Sequence, residues 1–160
     1  MNDIGQILSI RTRRCQSSTA RVATAQKQLT ARRKGYSTAL KVLDAFKGDL
    51  AEMERKLLAD IVGKKIRPID IEYIHKTLKD AASSADDLIS NVNNAEKAMS
   101  QAQDHLKTCQ VENKVLTDRK ERIETLCDQK AQLQRLAEAE AEEAEAEDIA
   151  ELIFQHGNRG

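Results

Sequence analysis

Apolar residues recur every seven positions along most of the chain. Toward the N-terminus the series is Leu8, Cys15, Val22, Leu29, Tyr36, Leu43, Leu50 and Leu57. Farther along the chain, a pair of such series interleaves: Ile71, Leu78, Ala85, Val92, Met99 and Leu106, together with Ile74, Ala81, Leu88, Ala95, Ala102, Cys109, Leu116 and Ile123. A seven-residue repeat held over many turns is typical of helices that supercoil around each other with a left hand. The pattern therefore predicts two long helices that share one apolar seam.

A single strong break interrupts this pattern. Gly63 suits the left-handed backbone conformation that ends many helices. Pro68 suits the first turn of a new helix, where no backbone N–H donor is needed, and Asp70 can cap or stabilise that helix start. The predicted elements are a helix over about 4–62, a turn over 63–68 and a helix over about 69–153.

Folding back at this turn aligns the two seams in antiparallel fashion. With Leu57 opposite Ile74, the same register brings together Leu43 and Leu88, Leu29 and Ala102, Val22 and Cys109, Cys15 and Leu116, and Leu8 and Ile123. Large residues mostly face small ones, which fills a close-packed seam. The register also places Ser18 opposite Asn113, and Arg11 opposite Lys120. We therefore expect the end that carries both termini to be looser than the turn end.

The composition favours long helices rather than a compact domain with a large core. Aromatic residues make up 2% of the chain and charged residues 32%, with no tryptophan. A globular domain of this length fills its core largely with bulky apolar and aromatic side chains. The expected fold is all-α: a long antiparallel two-helix coiled-coil hairpin that forms a single domain over residues 1–160.

Charge is distributed unevenly, although the formal net charge is zero. The basic side chains of residues 1–41 are Arg11, Arg13, Arg14, Arg21, Lys27, Arg32, Arg33, Lys34 and Lys41, against the acid Asp3. The acids of residues 136–152 are Glu138, Glu140, Glu142, Glu143, Glu145, Glu147, Asp148 and Glu151, with no base. Such asymmetry favours oriented contacts with charged partners. The stretch 137–152 is expected to be an acidic tail that either keeps the chain soluble or binds a partner.

Residues that could carry catalysis or bind metal are scattered. The histidines are His75, His105 and His156, and the cysteines are Cys15, Cys109 and Cys127. No histidine lies near a candidate nucleophile pair, and no glycine-rich phosphate loop occurs. The cysteines have neither CxxC nor zinc-ligand spacing. We expect a protein that binds other proteins and has no enzymatic activity, cofactor or metal.

The sequence also argues against nucleic acids and membranes as partners. The basic first helix has no aromatic platform on which bases would stack, and acids of the second helix lie alongside it. No apolar run approaches the ~18 residues of a membrane-spanning helix. The basic residues 11–14 follow the short apolar patch at 7–8, whereas in a signal peptide they would precede it. We expect a cytoplasmic protein without membrane insertion.

The turn combines basic and apolar residues. Lys64, Lys65 and Arg67 precede Ile69 and Tyr73, neither of which need lie in the seam, whereas positions 71 and 74 are seam positions. An exposed aromatic residue near the end of a hairpin is a reasonable docking point. Local packing over the turn is the alternative.

Three segments together resemble a known family. They are the basic run Arg11-Thr12-Arg13-Arg14, the start of the second helix at Ile69-Asp70-Ile71-Glu72-Tyr73-Ile74, and the Glu-rich C-terminal stretch that ends Leu152-Ile153-Phe154-Gln155-His156-Gly157-Asn158-Arg159. This layout resembles the YscO/FliJ family of bacterial type III secretion systems, and is nearer to its YscO-like virulence branch. The resemblance extends over nearly the whole chain.

The resemblance implies a function. Proteins of this family are two-helix coiled coils, similar to the gamma subunit of rotary ATP synthases. They sit in the centre of the hexameric export ATPase at the cytoplasmic base of the secretion apparatus, link it to the export-gate membrane protein, and in some cases engage secretion chaperones. By position, Arg11, Arg13, Arg14 and Arg21 would contact the ATPase. The turn region, with Lys64, Lys65, Tyr73, Ile74 and Leu78, would contact the export gate.

Other functions stay open at this point. A generic coiled-coil adaptor or holding chaperone would bind clients with its helix ends. An arm that binds nucleic acid would show strongly salt-dependent affinity. Self-association also stays open, because the stretch 128–152 lacks a partner in the hairpin and could recruit a second copy.

Overall fold

Two α-helices account for nearly all of the chain. The computed structural model describes residues 3–158, in which α1 spans Asp3–Ile61 and α2 spans Pro68–Gly157. The two helices pack against each other, and no strand occurs within these residues, which confirms the predicted all-α hairpin. The helix α2 extends past the predicted end at 153. Residues 1–2 and 159–160 of the predicted domain lie outside the described residues.

The chain divides into two compact units. The residues Ala20–Val111, which include the turn, form the first, here called the hairpin unit. The described residues up to Thr19 and from Glu112 onward form the second, here called the terminal unit. In each unit a segment of α1 packs against a segment of α2.

The turn has the geometry that its sequence predicts. Gly63 has a φ of 82°, in the left-handed region that favours glycine. The carboxylate of Asp70 accepts a hydrogen bond from the backbone N–H of Arg67 at 3.2 Å and a second from the side chain of Arg67 at 3.4 Å. Asp70 is the third residue of α2, and its bond back to Arg67, the residue before the helix, is half of a capping box. The bond satisfies the backbone N–H of Arg67, which has no backbone acceptor within α2.

The best-buried part of the hairpin unit lies far from the turn. Its cluster contains Ala25, Leu29, Leu106 and Cys109, with Val22, Met99 and Ala102 packed against it. The exposed fraction of Ala25 is only 1%, because the small side chain lets the larger Leu106 of the facing helix approach closely. These neighbours agree with the predicted register.

Near the turn the seam is less completely covered. Leu57, Ile74 and Leu78 are only half-buried. Ile71 is 58% exposed, so the prediction that it lies in the seam was wrong. The register that pairs Leu57 with Ile74 puts Asp60 opposite Ile71, and Asp60 is itself exposed, so no apolar surface faces this isoleucine.

The polar layer of the terminal unit is tightly packed. Ser18 is 4% exposed, and Thr19 donates a hydrogen bond to the side chain of Asn113 at 3.4 Å. One turn away, the thiol of Cys15 donates to the carbonyl oxygen of Leu116 at 3.2 Å. The expectation that this end would be looser than the turn end was therefore wrong at this layer, because a serine is small enough to let the helices close.

We expect Leu106→Ala to lower the free energy of unfolding by about 2–4 kcal/mol, because it opens a cavity in the buried cluster. Leu58→Ala is the matched control, since Leu58 is 63% exposed and its truncation should change stability by less than about 0.5 kcal/mol. Urea unfolding followed by circular dichroism measures both. Equal losses in the two variants would contradict the assigned seam.

Gly63→Ala should lower the free energy of unfolding by about 1–2 kcal/mol, because alanine pays a steric penalty at positive φ. Gly35→Ala, in the middle of α1, should instead raise stability by about 0.5–1 kcal/mol. An added Cβ meets nothing within 4 Å at either glycine, so the backbone conformation alone separates the two outcomes. Thermal unfolding of both variants gives the comparison, and a neutral Gly63→Ala would argue against the left-handed cap.

Candidate functional site

Two arginines of the terminal unit are open to solvent. Arg13 and Arg14 are exposed on α1, and no ion pair involves either of them within the described residues. Their guanidinium groups can therefore bind carboxylates of a partner without first breaking an internal contact.

Arg11 has a different environment. It is half-buried, and its Nη1 is buried without a hydrogen-bond partner in the described range of the chain. The register that pairs Cys15 with Leu116 puts Lys120 opposite it, and Lys120 bonds Glu124 of its own helix at 3.5 Å. Arg11 thus belongs to the seam, apart from the exposed pair at 13 and 14.

The fourth predicted arginine lies in the hairpin unit. Arg21 is exposed on α1 and takes part in no ion pair within residues 3–158. Arg21 is thus accessible to a partner, as a residue that contacts the ATPase would have to be.

At the turn the structure brings basic and apolar side chains together. Lys64 and Lys65 are exposed, Tyr73 is 68% exposed, and Ile74 and Leu78 are half-buried in the seam. A depression of about 270 Å³ lies between them, and its walls include Leu57, Asp60, Ile61, Lys64, Lys65, Ile66, Asp70, Tyr73 and Ile74. Both lysines and Tyr73 thus share one concave surface, while Leu78 stays outside it.

Sequence reasoning missed some of the apolar surface at the turn. Leu58 is 63% exposed, Val62 is 78% exposed and Ile66 is 44% exposed. Leu58 directly follows the seam residue Leu57, and this off-register apolar position is the signal that could have identified it. Together with Ile69 and Ile71, these side chains expose apolar surface at the turn.

No group of three or more His, Cys, Asp or Glu side chains is placed to hold a metal ion in the described range of the chain. His105 and Cys109 approach each other at 3.7 Å, on successive turns of α2. A second depression, of about 410 Å³, is lined by residues of α1 alone, such as Leu8, Thr12 and Arg13, so no opposing wall shields it from water.

Comparisons with known proteins add no family assignment. No family model, curated protein or solved structure matches this chain. Over residues 3–158, neither helix contains a stretch long and apolar enough to cross a membrane.

Arg11→Leu is expected to raise the free energy of unfolding by about 1 kcal/mol, because it removes an unpaired buried donor and a like-charge neighbour of Lys120. Arg13→Leu on the exposed face should change stability by no more than about 0.5 kcal/mol. Chemical denaturation of the two variants side by side measures the difference. A clear loss of stability in Arg11→Leu would show that this guanidinium has a favourable partner.

Proposed function

We propose that this protein is a non-enzymatic central-stalk protein of a bacterial type III secretion apparatus. In this proposal it works in the cytoplasm at the base of the apparatus, where it binds and stimulates the hexameric export ATPase. It couples that ATPase to the export-gate membrane protein and escorts secretion chaperones. The observation that supports the proposal most is the exposed, unpaired arginines on a two-helix scaffold with few groups suited to catalysis.

Exposed arginines suit contact with a rotating or asymmetric ring. A stalk must bind firmly enough to be held, but it must also move between equivalent positions on the subunits. Charged contacts at the rim of an interface meet both needs, since they guide association and contribute modest affinity each. Arg13, Arg14 and Arg21 can supply such contacts, whereas Arg11 acts within the seam.

The proposed effect on the ATPase is a shift between conformations of its subunits. A single hairpin cannot contact six identical subunits in the same way, so its binding stabilises an asymmetric arrangement of the ring. Subunits held in different conformations would hydrolyse and release nucleotide in sequence. The chain itself would supply no catalytic group.

The turn is the proposed contact with the export gate. Lys64 and Lys65 beside exposed Tyr73 favour a partner segment that carries acids and at least one apolar side chain. Ile74 and Leu78 would support the surface from below, because both are half-buried in the seam.

A generic adaptor or holding chaperone is the second candidate function. The exposed apolar side chains at the turn favour it, among them Val62, Ile69 and Tyr73. Such a protein would bind many unfolded clients through the turn and would leave the rate of an export ATPase unchanged.

Binding to the export ATPase should depend on the exposed arginines. We expect the double variant Arg13→Glu/Arg14→Glu to bind the cognate hexamer about tenfold or more weakly, because two attractive contacts become repulsive. The matched control is Arg32→Glu/Arg33→Glu, which makes the same charge change at exposed positions of α1. Titration calorimetry measures both affinities. Unchanged binding of the first variant, or an equal loss in the control, would contradict the assigned surface.

A further inference from the structure

The C-terminal segment of α2 presents a helical face that nothing within residues 3–158 covers. Residues 132–158 are all exposed, although α2 continues without a break to Gly157. Leu8 pairs with Ile123 in the established register, so α2 beyond about 131 has passed the beginning of α1. Because α2 is unbroken, this segment cannot turn back onto its own α1, and no other part of residues 3–158 covers it.

Side chains on one face of this segment change from acidic to apolar toward the C-terminus. Ile149 and Leu152 are 52% and 56% exposed, and the same row continues toward the N-terminus with Glu145, Glu142 and Glu138. The spacing of three and four residues keeps these side chains on one face. The face is therefore apolar at its C-terminal end and acidic before it.

A row on α1 has the complementary order. Ile7 and Ile10 are 41% and 49% exposed, and exposed Arg14 and Ser17 follow on the same face. Each member immediately precedes a seam residue, so the row lies about 100° around the helix from the seam. It is free to contact a further helix while the seam stays closed.

The two rows match when the helices run antiparallel. With Ile7 opposite Leu152, the layers that follow pair Ile10 with Ile149, Arg14 with Glu145 and Ser17 with Glu142. The same register brings Asp3 opposite His156 at one end, and along the sequence it brings Arg21 opposite Glu138 at the other. Apolar residues thus meet apolar residues, and opposite charges meet.

Other heptad registers lose this match. A shift of one heptad in one direction puts Ile7 and Ile10 opposite Glu145 and Glu142. The opposite shift puts Arg14 opposite Leu152. Either shift buries a charge against an aliphatic side chain, which is unfavourable, so the first register is specific.

We propose that the α2 face formed by Glu138, Glu142, Glu145, Ile149 and Leu152 docks on the α1 row of a second copy of this chain. Pairing of two α2 faces is disfavoured, because their acids would repel with no base among residues 136–152. The contact joins two different surfaces, so a bound pair leaves one α1 row and one α2 face free. Association is therefore head-to-tail and can continue beyond a dimer. The inference stands independently of the proposed function, although Arg14 belongs to both surfaces.

Two variants separate the halves of this contact. The tail variant Glu145→Gln/Leu152→Asp alters the α2 face, and the α1 variant Ile10→Asp/Arg14→Gln alters its partner. All four side chains are exposed, so the monomer should fold normally, which circular dichroism checks. The control Glu147→Gln/Phe154→Asp makes the same change in charge on the opposite side of α2.

Sedimentation velocity over a concentration series tests the proposal on the full chain at low salt. The wild type and the control should form species larger than a monomer as concentration rises. Each interface variant alone should associate about tenfold or more weakly. An equimolar mixture of the two variants keeps one intact contact and should form a dimer that grows no further.

Several results would overturn the proposal. One is a wild type that stays monomeric up to about 1 mM, a concentration at which even a millimolar contact would be populated. Another is a tail variant that associates like the wild type. A control that loses association as strongly as the tail variant would also contradict the assigned face. Failure of the mixture to form a dimer would contradict the pairing of these two surfaces. None of these measurements involves the ATPase, so their outcome is distinct from that of the proposed function.

Discussion

Close packing of small against large residues in a two-helix seam is the constraint on which the rest of this structure depends. Ala25 and Ser18 are almost fully buried, because their small side chains let α1 and α2 approach each other. Two helices enclose little volume, and a third layer of side chains is absent within the described residues. Most residues away from the seam are therefore left in solvent and are available to a partner.

Periodicity predicted the two helices and the register between them. The seven-residue series predicted which residues share the seam, and Gly63, Pro68 and Asp70 marked the turn because each has a backbone role that few other residues fill. The degree of burial along the seam was harder to predict. Ser18 is polar and yet buried, while Ile71 is apolar and yet exposed, because burial depends on the facing residue and on the fit between them.

The candidate contact surfaces were only partly predictable. The exposure of Arg13, Arg14 and Tyr73 follows from their positions outside the seam. The separate environment of Arg11 required the three-dimensional register, since its charge alone groups it with its neighbours. The match between the α1 row and the α2 face also needed the structure, which shows that both rows are exposed and that α2 is unbroken. The family resemblance contributes the identity of the proposed partner, which no internal contact supplies.

The central claim is that one copy of this protein acts on one ATPase ring. The most direct test is the hydrolysis rate of the cognate export ATPase, measured while this protein is added in increasing amounts. The expected result is a stimulated rate that saturates at one chain per hexamer, because a central position would admit a single hairpin. An unchanged rate with folded protein, or saturation at one chain per ATPase subunit, would contradict the account and favour an adaptor that works outside the ring.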